Sequence, residues 1–181
     1  SNIPIGQKSS LHIASRKSLD DFVRTPTYDV YFDRVTQDTE ATNNVSNVTN
    51  SNQEFNFYDA SLRWLYQPTD KDFIRFNFIL VNNDLSFNET ANINEALRTR
   101  RSNISQNSLA LGLNYKRQWN ENFTSIINVY NSEYELQALN ADVLSNQLQL
   151  QENIVSETSI KIDNIYEQNQ WRFNLGYQFV E

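Results

Sequence analysis

Residues able to carry chemistry are few in this chain and widely spaced. A single histidine, His12, stands between Leu11 and Ile13, and cysteine is absent. Without thiols there is no disulfide framework, and one imidazole cannot assemble a Cys/His set for zinc. Asp20 and Asp21 are adjacent but lack a spaced partner acid or the ligand pattern of a calcium loop. No Ser/His/Asp grouping has the context for hydrolysis. The expectation is therefore a non-enzyme without catalytic residues, metal ligands or cofactors. Two groups remain as candidates for ligand contact. Tyr28, Tyr31 and Phe32, beside Pro26, form an aromatic patch, while Arg98, Arg100 and Arg101 form a cationic one suited to an anionic chelate. Matches to the N-glycosylation pattern at Asn44, Asn47, Asn88, Asn103 and Asn122 are what chance delivers in so Asn-rich a chain.

Charge and composition narrow the partners. A net charge of −7 opposes binding to nucleic-acid phosphates, and the basic residues are scattered apart from the Arg98–Arg101 run. Aromatic residues make up 13% of the 181 residues against three each of Gly and Pro, a strand-rich composition. There is no apolar run of about 18 residues to form a transmembrane helix and no secretory signal, but neither bears on strands that cross a membrane. The absence of Met and the opening Ser1-Asn2 read as a piece cut from a longer protein.

The elements that must position these residues announce themselves by a period of two. In SLALGLNYKRQW, Leu109, Leu111, Leu113 and Tyr115 share one parity and Ala110, Gly112, Asn114 and Lys116 the other, as in a strand with one oily and one wet face. About seven such strands are expected: 9–20, 54–67, 72–87, 106–119, 123–139, 148–167 and 171–180. Short turns fall at 67–71, 120–122 and 168–169. The stretches 21–53 and 88–105 read as long polar loops, the centre of the former, 39–52, being least able to offset its ordering entropy. Alternation of short and long connections is the end-to-end asymmetry of an up-and-down antiparallel transmembrane barrel, and the strands exceed the globular mode of about 5 to 6 residues.

Register supports one continuous apolar face. A three-residue turn at 120–122 sets Tyr115 opposite Ile127 and Leu113 opposite Val129. A turn at 168–169 sets Tyr166 opposite Trp171 and Ile162 opposite Leu175, and the turn at Thr69 sets Trp64 beside Ile74 and Leu62 beside Phe76. On that parity no charge occurs between Tyr58 and Tyr66, Ile74 and Leu80, Leu109 and Tyr115, or Trp171 and Phe179, whereas Asp59, Arg63, Arg75, Lys116 and Arg172 take the other. Trp64, Tyr66, Tyr115, Trp119, Phe123, Tyr166 and Trp171 gather near the short turns, at the height of an interfacial girdle. Strand 123–139 alone mixes its parities, with Phe123, Ile127 and Val129 against Ile126, Tyr130 and Tyr134. From the pattern alone, the stripe suits a soluble two-sheet core as well as lipid.

The opening NIPIGQKSSLHIASRKSLDDFVRTPTYDVYFDRV resembles a barrel segment of TonB-dependent outer-membrane receptors. In these a turn leads into a strand with an Arg-x-Ser-x-x-Asp pattern, here Arg16, Ser18 and Asp21, and then a Thr-Pro-x-Tyr loop, here Thr25, Pro26 and Tyr28. YDASLRWLYQPTDKDFIRFNFI, SLALGLNYKRQWNENFTSIINVYNSEYEL and FNLGYQF are similar to the strand and turn repeats of the same family. The resemblance implies that residues 1–181 are part of a larger barrel in the bacterial outer membrane. Such receptors are 22-stranded with a plugged lumen and import a metal chelate, cobalamin or a glycan. The implied partners are outer-membrane lipid, a plug domain and further strands absent from this stretch, and the TonB complex, with no nucleic acid. A porin-like barrel and a soluble all-β adhesin or carbohydrate-binding module are the other readings.

Overall fold

A computed structural model describes residues 2–18, 30, 48–93, 96–142 and 147–181. Within them the chain forms eight strands: β1 (Asn2–Pro4), β2 (Ser9–Lys17), β3 (Val48–Tyr66), β4 (Asp72–Ile93), β5 (Ala96–Gln118), β6 (Phe123–Ala141), β7 (Leu148–Gln168) and β8 (Trp171–Val180). All eight lie in one sheet in sequence order, every pair antiparallel, which is the expected all-β meander. The three-residue β1 had no place among the expected strands.

Two loop expectations need correction. The stretch 88–105 is not a loop: β4 and β5 run on through it, paired from Asn88↔Arg101 to Ile93↔Ala96. Its Asn, Thr and Arg residues suppress the apolar alternation by which a strand is read from sequence, but cross-strand backbone pairing does not need that alternation. Likewise β3 begins at Val48, so the end of the expected 21–53 loop is strand, paired Val48↔Ala91 to Ser51↔Asn88 with a register shift between Ser51 and Glu54. The rest of that loop, with its 39–47 portion, and Asp20 and Asp21 lie outside the described residues, Val30 excepted.

The short turns share one end of the sheet and are latched to each other. The Gln67 amide donates to the Lys8 carbonyl, that of Gln118 to Lys71, and that of Glu167 to Asn122, each at 2.8 Å. Local chemistry closes each turn. Asn120 accepts the amides of Asn122 and Phe123 on its side-chain oxygen, both at 2.9 Å, as an Asx turn does. Asn169 holds φ at +53°, the left-handed conformation that Asn tolerates better than other L residues with a Cβ.

Pairing at the 120–122 turn is as expected, with Tyr115↔Ile127 and Leu113↔Val129. The other two hairpins are displaced by two residues. Trp64 faces Phe76 rather than Ile74, and Trp171 faces Gln168 rather than Tyr166 because the tight turn is Asn169-Gln170. A two-residue displacement leaves every side chain on its face, since only an odd slip turns a strand over.

Candidate functional site

Following the pairs across the sheet assigns each strand residue to a face. One face carries Ile13, Leu62, Phe78 and Leu111 in a single row, and Leu11, Trp64, Phe76, Leu113, Val129 and Ile160 in the next. Ile162, Leu175, Tyr177, Phe173 and Phe179 continue it over β7 and β8. Ile127 and Val129 fall here, which settles the parity of β6 in the turn-side half. Leu111 is 37% exposed, Leu113 44%, Phe173 59% and Leu175 77%, while Phe76 and Phe78 are half-buried by neighbours on their own face. Among the described residues no second sheet covers this face. A water-facing domain rarely bares so continuous an apolar surface.

The rim aromatics Trp64, Tyr66, Tyr115, Trp119, Phe123, Tyr166 and Trp171 lie on that face, Phe73 of β4 being on the other, and several of their polar tips are tied down. Trp64 Nε1 donates to Ser9 Oγ at 2.8 Å, Trp119 Nε1 to Ser125 Oγ at 3.0 Å, and the Tyr166 hydroxyl to Gln168 Oε1 at 3.0 Å. Trp64 stacks on Tyr66 at 5.5 Å and Trp171 on Phe173 at 6.3 Å. Rings with an apolar body and a satisfied polar end suit the boundary between lipid and water.

Beside them sits a knot of groups that the sequence reading did not single out. Asp72, nearly buried at 8% exposure, accepts hydrogen bonds from Thr69 Oγ1, from the Tyr115 hydroxyl at 2.7 Å and from Arg117 Nη1 at 3.2 Å. The Arg117 guanidinium in turn lies 4.5 Å from the centre of the Trp119 ring. The Thr69-to-Asp72 spacing across a turn was the available signal.

The opposite face, that of Ala110, carries Asp59, Arg63, Arg75, Lys116 and Arg172, as their parity required. Arg16 pairs with Asp59 at 2.6 Å, Lys161 with Asp163 at 3.2 Å, and Arg172 with Glu167 at 3.3 Å. Tyr130 donates its hydroxyl to Glu157. His12, directly opposite Arg63, lies exposed on this face.

Farther from the turns the polarity of both faces reverses on β3 to β6, whereas β7 keeps Leu148, Leu150 and Ile154 exposed on the Leu111 face, beside Leu139. On the Ala110 face, Phe55, Leu85, Phe87, Ile104, Leu136 and Ala138 form a buried cluster against which Phe57 and Tyr134 pack. On the Leu111 face the same rows carry Asn56, Asp84, Ser86, Asn103, Ser105, Glu135 and Gln137. The crossover comes between Leu80, on the Leu111 face, and Val81 and Leu85, on the other.

The expected binding residues separate. Tyr28, Tyr31 and Phe32 lie outside the described residues. Arg98, Arg100 and Arg101 are in strand β5, and alternation splits them: Arg98 and Arg100 share the Ala110 face, whereas Arg101 is on the other. There Arg101 Nη2 donates to Ser86 Oγ at 3.0 Å and lies 3.6 Å from Glu54 Oε2. The three do not form one cationic patch. No group of His, Cys, Asp and Glu among the described residues is arranged to hold a metal ion. No described helix is long and apolar enough to cross a membrane, which says nothing of a β-barrel.

No protein-family model matches the chain, and neither does any curated relative. Among solved structures, the chain is similar to a TodX deltaS2S3 mutant, a monoaromatic hydrocarbon channel, at 11% identity and a TM-score of 0.41, over 99% of this chain and 52% of that one. It is similar to the Pseudomonas putida toluene transporter TodX at 11% identity and a TM-score of 0.40, over 99% of this chain and 53% of that one. The chain spans about half the length of these structures. So loose a likeness carries no functional weight, which falls instead on the two faces of the sheet.

Proposed function

We propose that this chain is part of the wall of a β-barrel in the bacterial outer membrane, with the Leu111 face toward lipid and the Ala110 face toward the lumen. The observation that carries the reading is the uncovered apolar band bounded by the aromatic rim. From Leu109 to Trp119 the outward residues of β5 cover about 11 residues, the length of one tilted crossing. Charge on the Leu111 face is kept to the margins of that band and beyond, with Glu133 in the row of Leu109 and the Asp72–Arg117 pair at the aromatic rim. This supports lipid as the solvent, since Arg or Lys facing lipid at the midplane costs roughly 2 to 4 kcal/mol. The open edge of β8 calls for further strands, because unpaired backbone in hydrocarbon costs several kcal/mol per group. The role is transport rather than catalysis, and the motifs from Arg16 to Tyr28 and in the later hairpins favour TonB-dependent import of a scarce nutrient over passive diffusion. Partners in this reading are outer-membrane lipid, the plug domain and remaining strands, and the TonB complex.

Expression of the complete reading frame in a Gram-negative host tests both levels. The product should sediment with outer membranes and migrate faster on gels unheated than boiled. A soluble product refutes the barrel. A membrane product whose reading frame carries no plug-sized domain of roughly 100 to 150 residues retains the barrel and selects the porin-like reading.

A further inference from the structure

We infer that the inner wall holds a cationic ladder that binds small polycarboxylate or phosphate anions, built from Arg63 on β3, Arg75 on β4 and Lys116 on β5. The inference rests on the Ala110 face being a barrel lumen. Arg63 is opposite Asn77, two residues beyond Arg75, and Arg75 is opposite Asn114, two residues before Lys116. Each cation is thus the diagonal neighbour of the next, with Cβ atoms about 7 Å apart, and successive steps rise about 7 Å along the strands. All three are exposed, and among the described residues none makes an ion pair.

The arrangement contrasts with the rest of the same face. Arg16, Lys161 and Arg172 each have a carboxylate within 3.3 Å, whereas on β3 to β5 the one acid of this face in the turn-side half, Asp59, is occupied by Arg16. Three uncompensated neighbours of like charge, in a chain of net charge −7, oppose one another until an anion neutralises them.

The upper rung also has a receptacle. A concavity beside it is lined by His12, Ala14, Ser61, Arg63, Asn77 and Ile79 of this face together with Ile13, Leu62 and Phe78, which belong to the other parity. Its small residues Ala14 and Ser61 leave space, and Ser61 and Asn77 supply neutral polar groups. Arg63 Nε donates to Asn77 Oδ1 at 3.1 Å, which fixes the guanidinium plane and leaves its terminal nitrogens for a bidentate carboxylate or phosphate.

The test is calorimetric titration of citrate into the full-length protein in detergent micelles, with maltotriose as the neutral probe. Citrate should bind, more weakly as salt rises, and maltotriose should give no heat. Arg63→Glu should weaken citrate about tenfold or more, with Arg75→Glu close behind. Arg63→Lys, which keeps the charge but loses the bidentate fork, should fall between the wild type and Arg63→Glu. Lys17→Glu, the same charge change on the Leu111 face, should leave it unaltered. Should Arg63→Glu fail to assemble, Arg63→Gln carries the comparison. Proteins that insert into outer membranes but show no citrate binding, or binding indifferent to Arg63 and Arg75, overturn the ladder and leave the barrel standing. A wild type that does not insert overturns both.

Discussion

On β3 to β6 the turn-side and far halves of this sheet share the same strands but carry most of their apolar residues on opposite faces, while β7 keeps Leu148, Leu150 and Ile154 on the Leu111 face throughout. Near the turns, Leu111, Phe78 and Val129 are outward on one face while Arg63, Asn77 and Asn114 take the other. Beyond Leu80, Leu85, Phe87 and Ile104 are buried on the second face while Asp84, Asn103 and Ser105 take the first. One strand thus passes between two environments. In the proposed barrel the lower half has lipid outside and water within, and the upper half stands above the bilayer with water outside and its apolar groups turned inward. A β-strand changes solvent by shifting its apolar residues by one position, without breaking a backbone hydrogen bond.

Substitutions can break this comparison, beginning with the largest effect. Phe87→Ala, in the buried cluster of the far half, should cost about 3 to 5 kcal/mol in urea unfolding of the full-length barrel, because a cavity is left. Phe173→Ala on the lipid face should cost at most about 1.5 to 3 kcal/mol, the transfer contribution alone, as lipid fills the space. Equal costs would mean that both faces are packed alike.

Next in size is a charge placed on the two parities. Leu111→Arg should impair insertion by roughly 2 to 4 kcal/mol, whereas Asn114→Arg should be far milder, as read by folding into lipid vesicles. Ser105→Arg sharpens the comparison: it shares the face of Leu111 but lies beyond the crossover, and should be close to neutral. A Ser105→Arg penalty matching that of Leu111→Arg would extend the lipid band across the crossover and erase the second half.

Smaller effects belong to the rim. Trp64→Phe keeps the ring but removes the bond to Ser9, and should cost about 0.5 to 1.5 kcal/mol. Asn169→Ala should cost about 1 kcal/mol against little change for Asn169→Gly, since only the former strains a positive φ. Indifference to both would remove the tight turn as the source of the β7–β8 register.

Much of this fold was legible because alternation is a direct imprint of a two-faced strand. The short turns, the aromatic rim and the polar side of Asp59, Arg63, Arg75, Lys116 and Arg172 could be read from parity alone. Part of the reversal was present in the mixed parity of strand 123–139, where Ile127 and Val129 belong to the lower half and Tyr134 to the upper, but Ile126 and Tyr130 sit on the Ala110 face within the lower half and mark no crossover. Read as noise, the mixture concealed the crossover. The strand extensions through 88–105 were hidden because polar residues on both parities erase the period. The cationic ladder was out of reach, since Arg63, Arg75 and Lys116 are far apart in sequence and meet only once the register is known.

The absence of cysteine makes single-cysteine labelling the most direct measurement of the central claim. Nitroxides placed one at a time from 103 to 115 on β5 of the full-length protein in lipid vesicles would be read by collisions with oxygen, which dissolves in lipid, and with a water-soluble nickel chelate. Labels at 109, 111 and 113 should favour oxygen, and those at 110, 112 and 114 the chelate. At 103 and 105 the outward labels should favour the chelate as well, while 104 is shielded from both. Labels at 111 and 113 reached by neither probe, or more readily by the chelate than by oxygen, would contradict the assignment of this face to lipid.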